Sequence, residues 1–379
     1  MTEWQLDPQI TYLNHGSFGV LPVPVAEAAA EIRREVERNP ADLLVRRLPD
    51  RIDEVRGRVA GLLGADPANL AFVDNATTGT ATVLAVLTAS MAPGDEVLTT
   101  DHCYPAVSAQ LAVVTQRYGV ETVSAHVPME VASTADVVTA ILDRATPRTR
   151  LLVVDGIASP SGMYFPVAEI VAAAHERGIP VLVDAAHMPG QVAVDLQATG
   201  ADFWVGNLHK WVCCQRGLAA LHVAPSWQPL IRPLVASHDY TAGFQPAFDW
   251  TGTKDPVPLL SVPAALDYWE QIGWETARTR QRELVDTGAD LLAAALGTRS
   301  PKPPGMTAAM RIVALPVELD LAEGRALRER LHDEHGFEVA VLSLHGHAWL
   351  RVCGQLYNTP ADYERLASVL PGVLTVAAR

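Results

Sequence analysis

Between residues 70 and 223, short apolar runs alternate with stretches whose apolar residues recur at helical spacing. The runs Leu70-Ala71-Phe72-Val73, Glu96-Val97-Leu98-Thr99, Leu151-Leu152-Val153-Val154, Val181-Leu182-Val183, Phe203-Trp204-Val205 and Leu218-Ala219-Ala220-Leu221 read as strands. Residues 136–144 and 167–177, the latter ended by Gly178, read as helices between them. Apolar strands separated by helices predict a mainly parallel sheet covered on both faces, the α/β class.

Past residue 250 the pattern changes. A proline-rich stretch, 255–263, leads into a long helical region from about 264 to 296, which predicts a connector. After a Pro/Gly loop at 300–305, a strand (310–317), a helix (323–334), two strands (338–342 and 348–352) and a helix (360–369) predict a smaller C-terminal α+β domain. The predicted division is an N-terminal segment 1–20, a large domain 21–258, and a connector with the small domain 259–379.

Length and charge narrow the function. A chain of 379 residues, 49% hydrophobic, is long enough for a large core and a smaller domain packed on it. With 29 Lys plus Arg against 43 Asp plus Glu, the net charge of -14 disfavours a grip on nucleic acid or an anionic membrane. No apolar run approaches the roughly 20 residues of a spanning helix, and residues 1–9 lack a signal-peptide pattern, so a cytoplasmic location is expected. Cys103, Cys213, Cys214 and Cys353 have neither a disulfide framework nor zinc-site spacing, and no metal is expected.

The most informative chemistry is Val181-Leu182-Val183-Asp184-Ala185-Ala186-His187 followed by Gly206-Asn207-Leu208-His209-Lys210-Trp211. A carboxylate just after one buried strand and a lysine just after the next suit pyridoxal 5'-phosphate (PLP). That cofactor needs an amine for its Schiff base and an anion beside its pyridine nitrogen, so that the ring can withdraw electrons. Lys210 and Asp184 fit the two roles. Asn75-Ala76-Thr77-Thr78, between a strand and a helical stretch, could bind phosphate at a helix N-terminus, although alone it would be an ordinary cap.

With these residues the chain resembles the class V aminotransferase family of PLP fold type I, and within it the isopenicillin N epimerase-like group, nearly end to end. The marks are Asp184-Ala185-Ala186-His187-Met188-Pro189-Gly190-Gln191, Asn207-Leu208-His209-Lys210-Trp211, Trp250-Thr251-Gly252-Thr253-Lys254-Asp255 and Leu350-Arg351-Val352-Cys353-Gly354-Gln355-Leu356-Tyr357-Asn358. The resemblance implies a large domain built on a mainly parallel seven-stranded sheet with a smaller C-terminal domain. It implies that His187 bonds the cofactor's phenolic oxygen and that Ala76, Thr77, Asn207 and His209 serve the phosphate, His209 being equally readable as a packed neighbour of Trp211. Tyr104, or else His102, would stack on the ring, and Ser159 would lie near it. Arg351 would hold a substrate carboxylate in a bidentate pair. Asn14-His15-Gly16-Ser17-Phe18-Gly19 would be a substrate loop or else a simple turn. Thr253 would reach the phosphate of a neighbouring subunit, making a homodimer with shared sites. The family commonly has a histidine where this chain has Gly156, a departure expected to widen the pocket.

The expected activity lies at the Cα of an amino acid or amino-acid conjugate: a small-molecule substrate displaces Lys210, which then acts as base. Epimerisation of the isopenicillin N epimerase-like kind is the first expectation. β-Elimination by a carbon-sulfur lyase, or decarboxylating deamination, of a cysteine S-conjugate is the alternative, as in relatives that serve natural-product and antibiotic pathways. Candidate second acids or bases are Tyr104, His15 and His238. A desulfurase needs a loop cysteine shortly before the carboxylate-binding arginine, and residues 330–350 contain none. A non-catalytic PLP-fold scaffold has no need of Asp184, Lys210 and Arg351 together, and no Gly-x-Ser-x-Gly elbow supports a serine hydrolase.

Overall fold

All six apolar runs between residues 70 and 223 form strands. The structure, a computed structural model, describes residues 4–377, so residues 1–3 of the predicted N-terminal segment and 378–379 of the small domain lie outside it. Its strands are β1 Thr11–Tyr12, β2 Leu70–Val73, β3 Glu96–Thr100, β4 Glu121–Ala125, β5 Thr149–Asp155, β6 Val181–Asp184, β7 Phe203–Asn207, β8 Ala219–Val223, β9 Met310–Ala314, β10 Phe337–Glu338, β11 Ala340–Leu344 and β12 His347–Cys353. Seven of them make the central sheet in the order β2-β8-β7-β6-β5-β3-β4. Its pairs from β7 to β4 are parallel, and β8 runs antiparallel to both neighbours.

In this sheet the strand that the hydrophobic pattern did not show is β4. It is an edge strand, paired only to β3, and its Glu121, Thr122 and Ser124 face solvent, so it has no need of a continuous apolar run. Two N-terminal helices were also not predicted. In Val23–Arg38 the buried Val25, Ala29 and Ile32 form one stripe, and in Leu48–Leu63 Ile52, Val55, Val59 and Leu63 form another, both packed into the core under the sheet.

The connector is two helices, Val262–Ile272 and Trp274–Leu296, broken at Gly273, whose φ of 88° ends the first. The proline-rich stretch before them is itself helical over Val257–Leu260, with proline in the first turns, where its missing N–H leaves no bond unmade. A second sheet, β11-β12-β9, is antiparallel and backed by Trp274–Leu296, Leu321–His335 and Pro360–Ala377. The last helix runs through Pro371 beyond the predicted stop at 369, because Leu370, Val373 and Leu374 stay buried. The N-terminal segment is stitched to this layer: β1 pairs with β10, and Cys353 N donates to Leu13 O at 2.8 Å.

Candidate active site

In the central sheet the chain winds outward from β3 to β4 in one direction and from β5 through β6 to β7 in the other. The crevice at that reversal, beyond the carboxyl ends of the strands, is where open α/β sheets bind ligands. Asp155, Asp184 and Asn207 terminate β5, β6 and β7, and Lys210 follows three residues after Asn207.

Lys210 Nζ stands 3.1 Å from His187 Nε2. Burial pushes the amine down to about 8, with the Asp184 charge opposing that fall. Trp211 Nε1, which can only donate, points at His187 Nδ1 at 3.5 Å, so His187 carries its proton on Nε2, the nitrogen that faces Lys210. Burial, with the positive charges of Lys210 and Arg351, holds His187 well below the usual histidine range. Asp184 Oδ1 accepts from Ala186 N at 3.0 Å, and Asp184 pairs in register with Asp155 on the neighbouring strand. Burial, together with the Asp184 charge, raises Asp155 well above the carboxylate range, which puts the pair's proton on Asp155. Asp155 escaped the sequence reading although its signal was there: it ends an apolar strand just as Asp184 does.

The loop 14–19 packs behind the lysine. His15, fully buried, has Nε2 3.1 Å from Lys210 O and Nδ1 3.0 Å from Tyr357 Oη, and burial drives it to about 3. A Cβ at Gly19 would collide with the carbonyl oxygens of His209 and Lys210, so only glycine fits there. The expectation of His15 as a substrate contact or second base is therefore corrected: both its nitrogens are engaged, Nε2 on the lysine loop and Nδ1 on Tyr357.

Arg351 is 4% exposed and bonded only to neutral groups. Its Nη1 donates to Ser159 O (2.7 Å) and Oγ (3.1 Å), and its Nη2 to Asn14 Oδ1 (3.1 Å) and Ser17 Oγ (2.8 Å). No carboxylate pairs with it among the described residues, and its Nε has no partner. A buried guanidinium left in this state is costly until an anion arrives. Ser159 thus turns to Arg351. Cys353, on the same face of β12, accepts from Gly16 N at 3.3 Å and is close enough to Lys210 for each to alter the other's ionisation.

At the N-terminus of helix Ala76–Thr88, Asn75 Oδ1 accepts from Thr78 N at 2.9 Å and Asn207 Oδ1 accepts from Ala76 N at 2.8 Å. Asn207 thereby ties this helix to the lysine strand, and the Thr77 amide keeps no partner among the described residues. His209 Nδ1 lies 2.9 Å from Leu218 O, and burial drives the ring down to about 4.

The two candidates for ring stacking separate. Tyr104 caps helix Pro105–Tyr118 and is 38% exposed, whereas His102 is buried with Nδ1 on Ser161 Oγ (2.8 Å) and Nε2 on Val127 O (2.7 Å). His102 is thus a tether between loops and presents neither nitrogen to a ligand. His238 lines a different groove, with Leu44, Ile52 and Trp250, so it is not brought to Lys210. Thr253 lies in an exposed bend. Its neighbours Gly252 and Lys254 line a cavity of about 340 Å³ with Arg216 and Trp250. The wider pocket expected at Gly156 is also corrected: a Cβ there would collide with Met188 Sδ, so Met188 fills the space.

An amine of depressed pKa, a buried carboxyl pair one strand away, a free amide at a helix N-terminus and an unpaired buried guanidinium together fit PLP and an α-amino acid. Comparison with known proteins agrees. The family model for class-V aminotransferases matches residues 20–362. The chain is 33% identical to isopenicillin N epimerase of Amycolatopsis lactamdurans, over 96% of this chain and 95% of that one. It is 29% identical to L-cysteine desulfhydrase of Arabidopsis thaliana, over 98% and 90%. Among solved structures, the complex of the cystine C-S lyase C-DES with cysteine persulfide superposes with a TM-score of 0.80 at 21% identity, over 96% and 97%. Fold, site and sequence kinship converge: this chain belongs to the class-V aminotransferase family and is a PLP-dependent enzyme of fold type I.

Proposed function

We propose that this enzyme removes the Cα proton of an amino acid or amino-acid conjugate, in the manner of isopenicillin N epimerase-like proteins. The observation that carries the reading is Arg351, a buried cation without a carboxylate partner whose charge is felt by both Lys210 and His187. An α-carboxylate bound there would place Cα near the Lys210 amine.

Bound PLP supplies the electron sink that makes a Cα proton acidic. Lys210 would hold it and then serve as base, its lowered pKa keeping the amine competent near neutral pH. Asp184 would hold the charge for the pyridine nitrogen, with Asp155 protonated beside it. His187, whose Nε2 faces Lys210 in the structure, would donate to the phenolic oxygen. The free Thr77 amide, with Ala76 beside it at the helix N-terminus, the side chains of Asn207 and His209, and Thr253 of a second copy would hold the phosphate, while Tyr104 would cover the ring. Asn14 and Ser159 orient Arg351.

A second reading, carbon-sulfur lyase, is favoured by the engaged histidines. Epimerisation needs a proton donor on the opposite face, and of Tyr104, His15 and His238 only Tyr104 remains free at the crevice. Elimination needs one base. The desulfurase route has no support, since β11 and β12 are joined by the two-residue turn His345-Gly346.

Four free cysteines support a reducing, cytoplasmic location, and kinship with an isopenicillin N epimerase supports a natural-product role. Exposed Val45, Leu230, Leu234 and Val235 support a homodimer.

The test is borohydride reduction with peptide mapping, followed by incubation with amino acids and cysteine S-conjugates in D2O. A pyridoxyl group on Lys210 with deuterium at Cα and inverted product supports the first reading. Pyruvate with a released thiol selects the lyase. Absence of Cα exchange in every substrate would overturn both.

A further inference from the structure

Away from Lys210, three side chains from distant parts of the chain converge on one point. Asp101 follows β3, His126 follows β4, and His345 occupies the β11-β12 turn. His126 Nδ1 lies 2.5 Å and His345 Nε2 2.8 Å from the same atom, Asp101 Oδ2, and the three donor atoms all fall within 4.8 Å of one another. The other carboxylate oxygen accepts from Val127 N at 3.0 Å, which leaves Oδ2 directed at the two rings. His345 is held there by a backbone that few side chains adopt: its φ is 52°, followed by Gly346 at 75°.

An ion pair explains this poorly. The two rings have centroids 4.8 Å apart, so protonating both sets like charges side by side. A neutral ring can turn an N–H to the carboxylate, as His126 Nδ1 does, but Oδ2 is then engaged and the His345 nitrogen beside it is left over. His345 Nε2 is enclosed and, although 2.8 Å from Oδ2, is out of line for a hydrogen bond. A cation between the three atoms removes each difficulty at once.

We propose that Asp101, His126 and His345 form a binding site for a divalent transition-metal ion of the zinc class, with water completing the coordination. Two imidazoles and one carboxylate are a ligand set that zinc accepts, and three protein ligands leave a position open. Tetrahedral zinc separates such ligands by about 3.3 Å, which small rotations of the exposed His126 ring allow. The hydrogen bond from Val127 N orients the carboxylate as an outer-shell partner would. The site joins the central sheet to the hairpin of the small sheet, three residues from Tyr104, so a bound ion would pin the two sheets together beside the crevice. The expectation of no metal arose because these ligands, at 101, 126 and 345, share no local spacing.

The experiment uses the holoenzyme, freed of metal by chelation and titrated with ZnCl2 by calorimetry, with metal analysis after dialysis. The native chain binds one Zn2+ and melts at a higher temperature with it. His126→Ala and His345→Ala each bind more than about tenfold more weakly and lose the thermal gain. His126 is exposed, so that variant keeps the fold. Native and His126→Ala/His345→Ala chains titrating alike, or a native chain binding no zinc, would overturn the proposal.

Discussion

At the scale of residues, the site works by placing ionisable groups where water cannot reach them. Lys210 is pushed from 10.5 down to about 8 by burial. Only the neutral amine attacks a carbonyl, so in the cofactor-free protein the labelling rate of Lys210 by an amine reagent is expected to climb as pH rises through about 8, not near 10.5. Asp184→Asn removes the charge that favours the ammonium and should move that midpoint lower; a midpoint that stays put would separate the two groups. Lys210→Ala should lose the visible absorbance and the borohydride label while circular dichroism stays native. For Arg351→Ala, losing two charge-assisted bonds to a carboxylate costs about 3 kcal/mol or more, roughly a hundredfold in KM, with cofactor affinity little changed. Lysine cannot reproduce the fork, so Arg351→Lys should not rescue. Parallel loss of cofactor binding would make Arg351 structural.

Among the elements, two contacts decide how firmly the site is framed. Asn75 caps the helix Ala76–Thr88, so Asn75→Ala should cost about 1 kcal/mol in chemical denaturation. In the small layer, Gly288 of helix Trp274–Leu296 lies directly beneath the buried Tyr363 ring of the last helix. Alanine there gains about 1 kcal/mol of helix propensity, but its methyl group must displace the ring, a cost of about 1–3 kcal/mol. Packing wins because Tyr363 is also held by its hydroxyl on Cys353 O at 2.7 Å. Gly288→Ala is therefore expected to lower the urea midpoint, and a raised midpoint would show that the ring can move.

For the whole molecule, the proposed homodimer predicts that light scattering returns twice the chain's 40.7 kDa. If Thr253 completes a neighbour's phosphate site, Lys210→Ala and Thr253→Glu chains, each inactive alone, should regain activity when mixed, because one intact site forms per mixed pair. Mixing without recovery, with mixed dimers present, would confine each site to one chain.

Much of this was already written in the sequence, because some physics is local. The buried strands had to be apolar runs, the residues ending them had to carry the polar chemistry, and Asp184, Lys210 and Arg351 stand out as charges set in apolar surroundings. The edge strand 121–125 was not legible, since a strand with one solvent face needs no such run. Which of several histidines is free was not legible either. His15, His102 and His187 are alike in sequence, but partners 342, 59 and 23 residues away decide that the first two are tethers and the third faces the lysine. Asp155 shows the same division: its strand was plain, but its raised pKa comes from a neighbour that only the sheet register provides. Burial and strand order determine each protonation state here, and both are set by contacts between residues far apart in the chain.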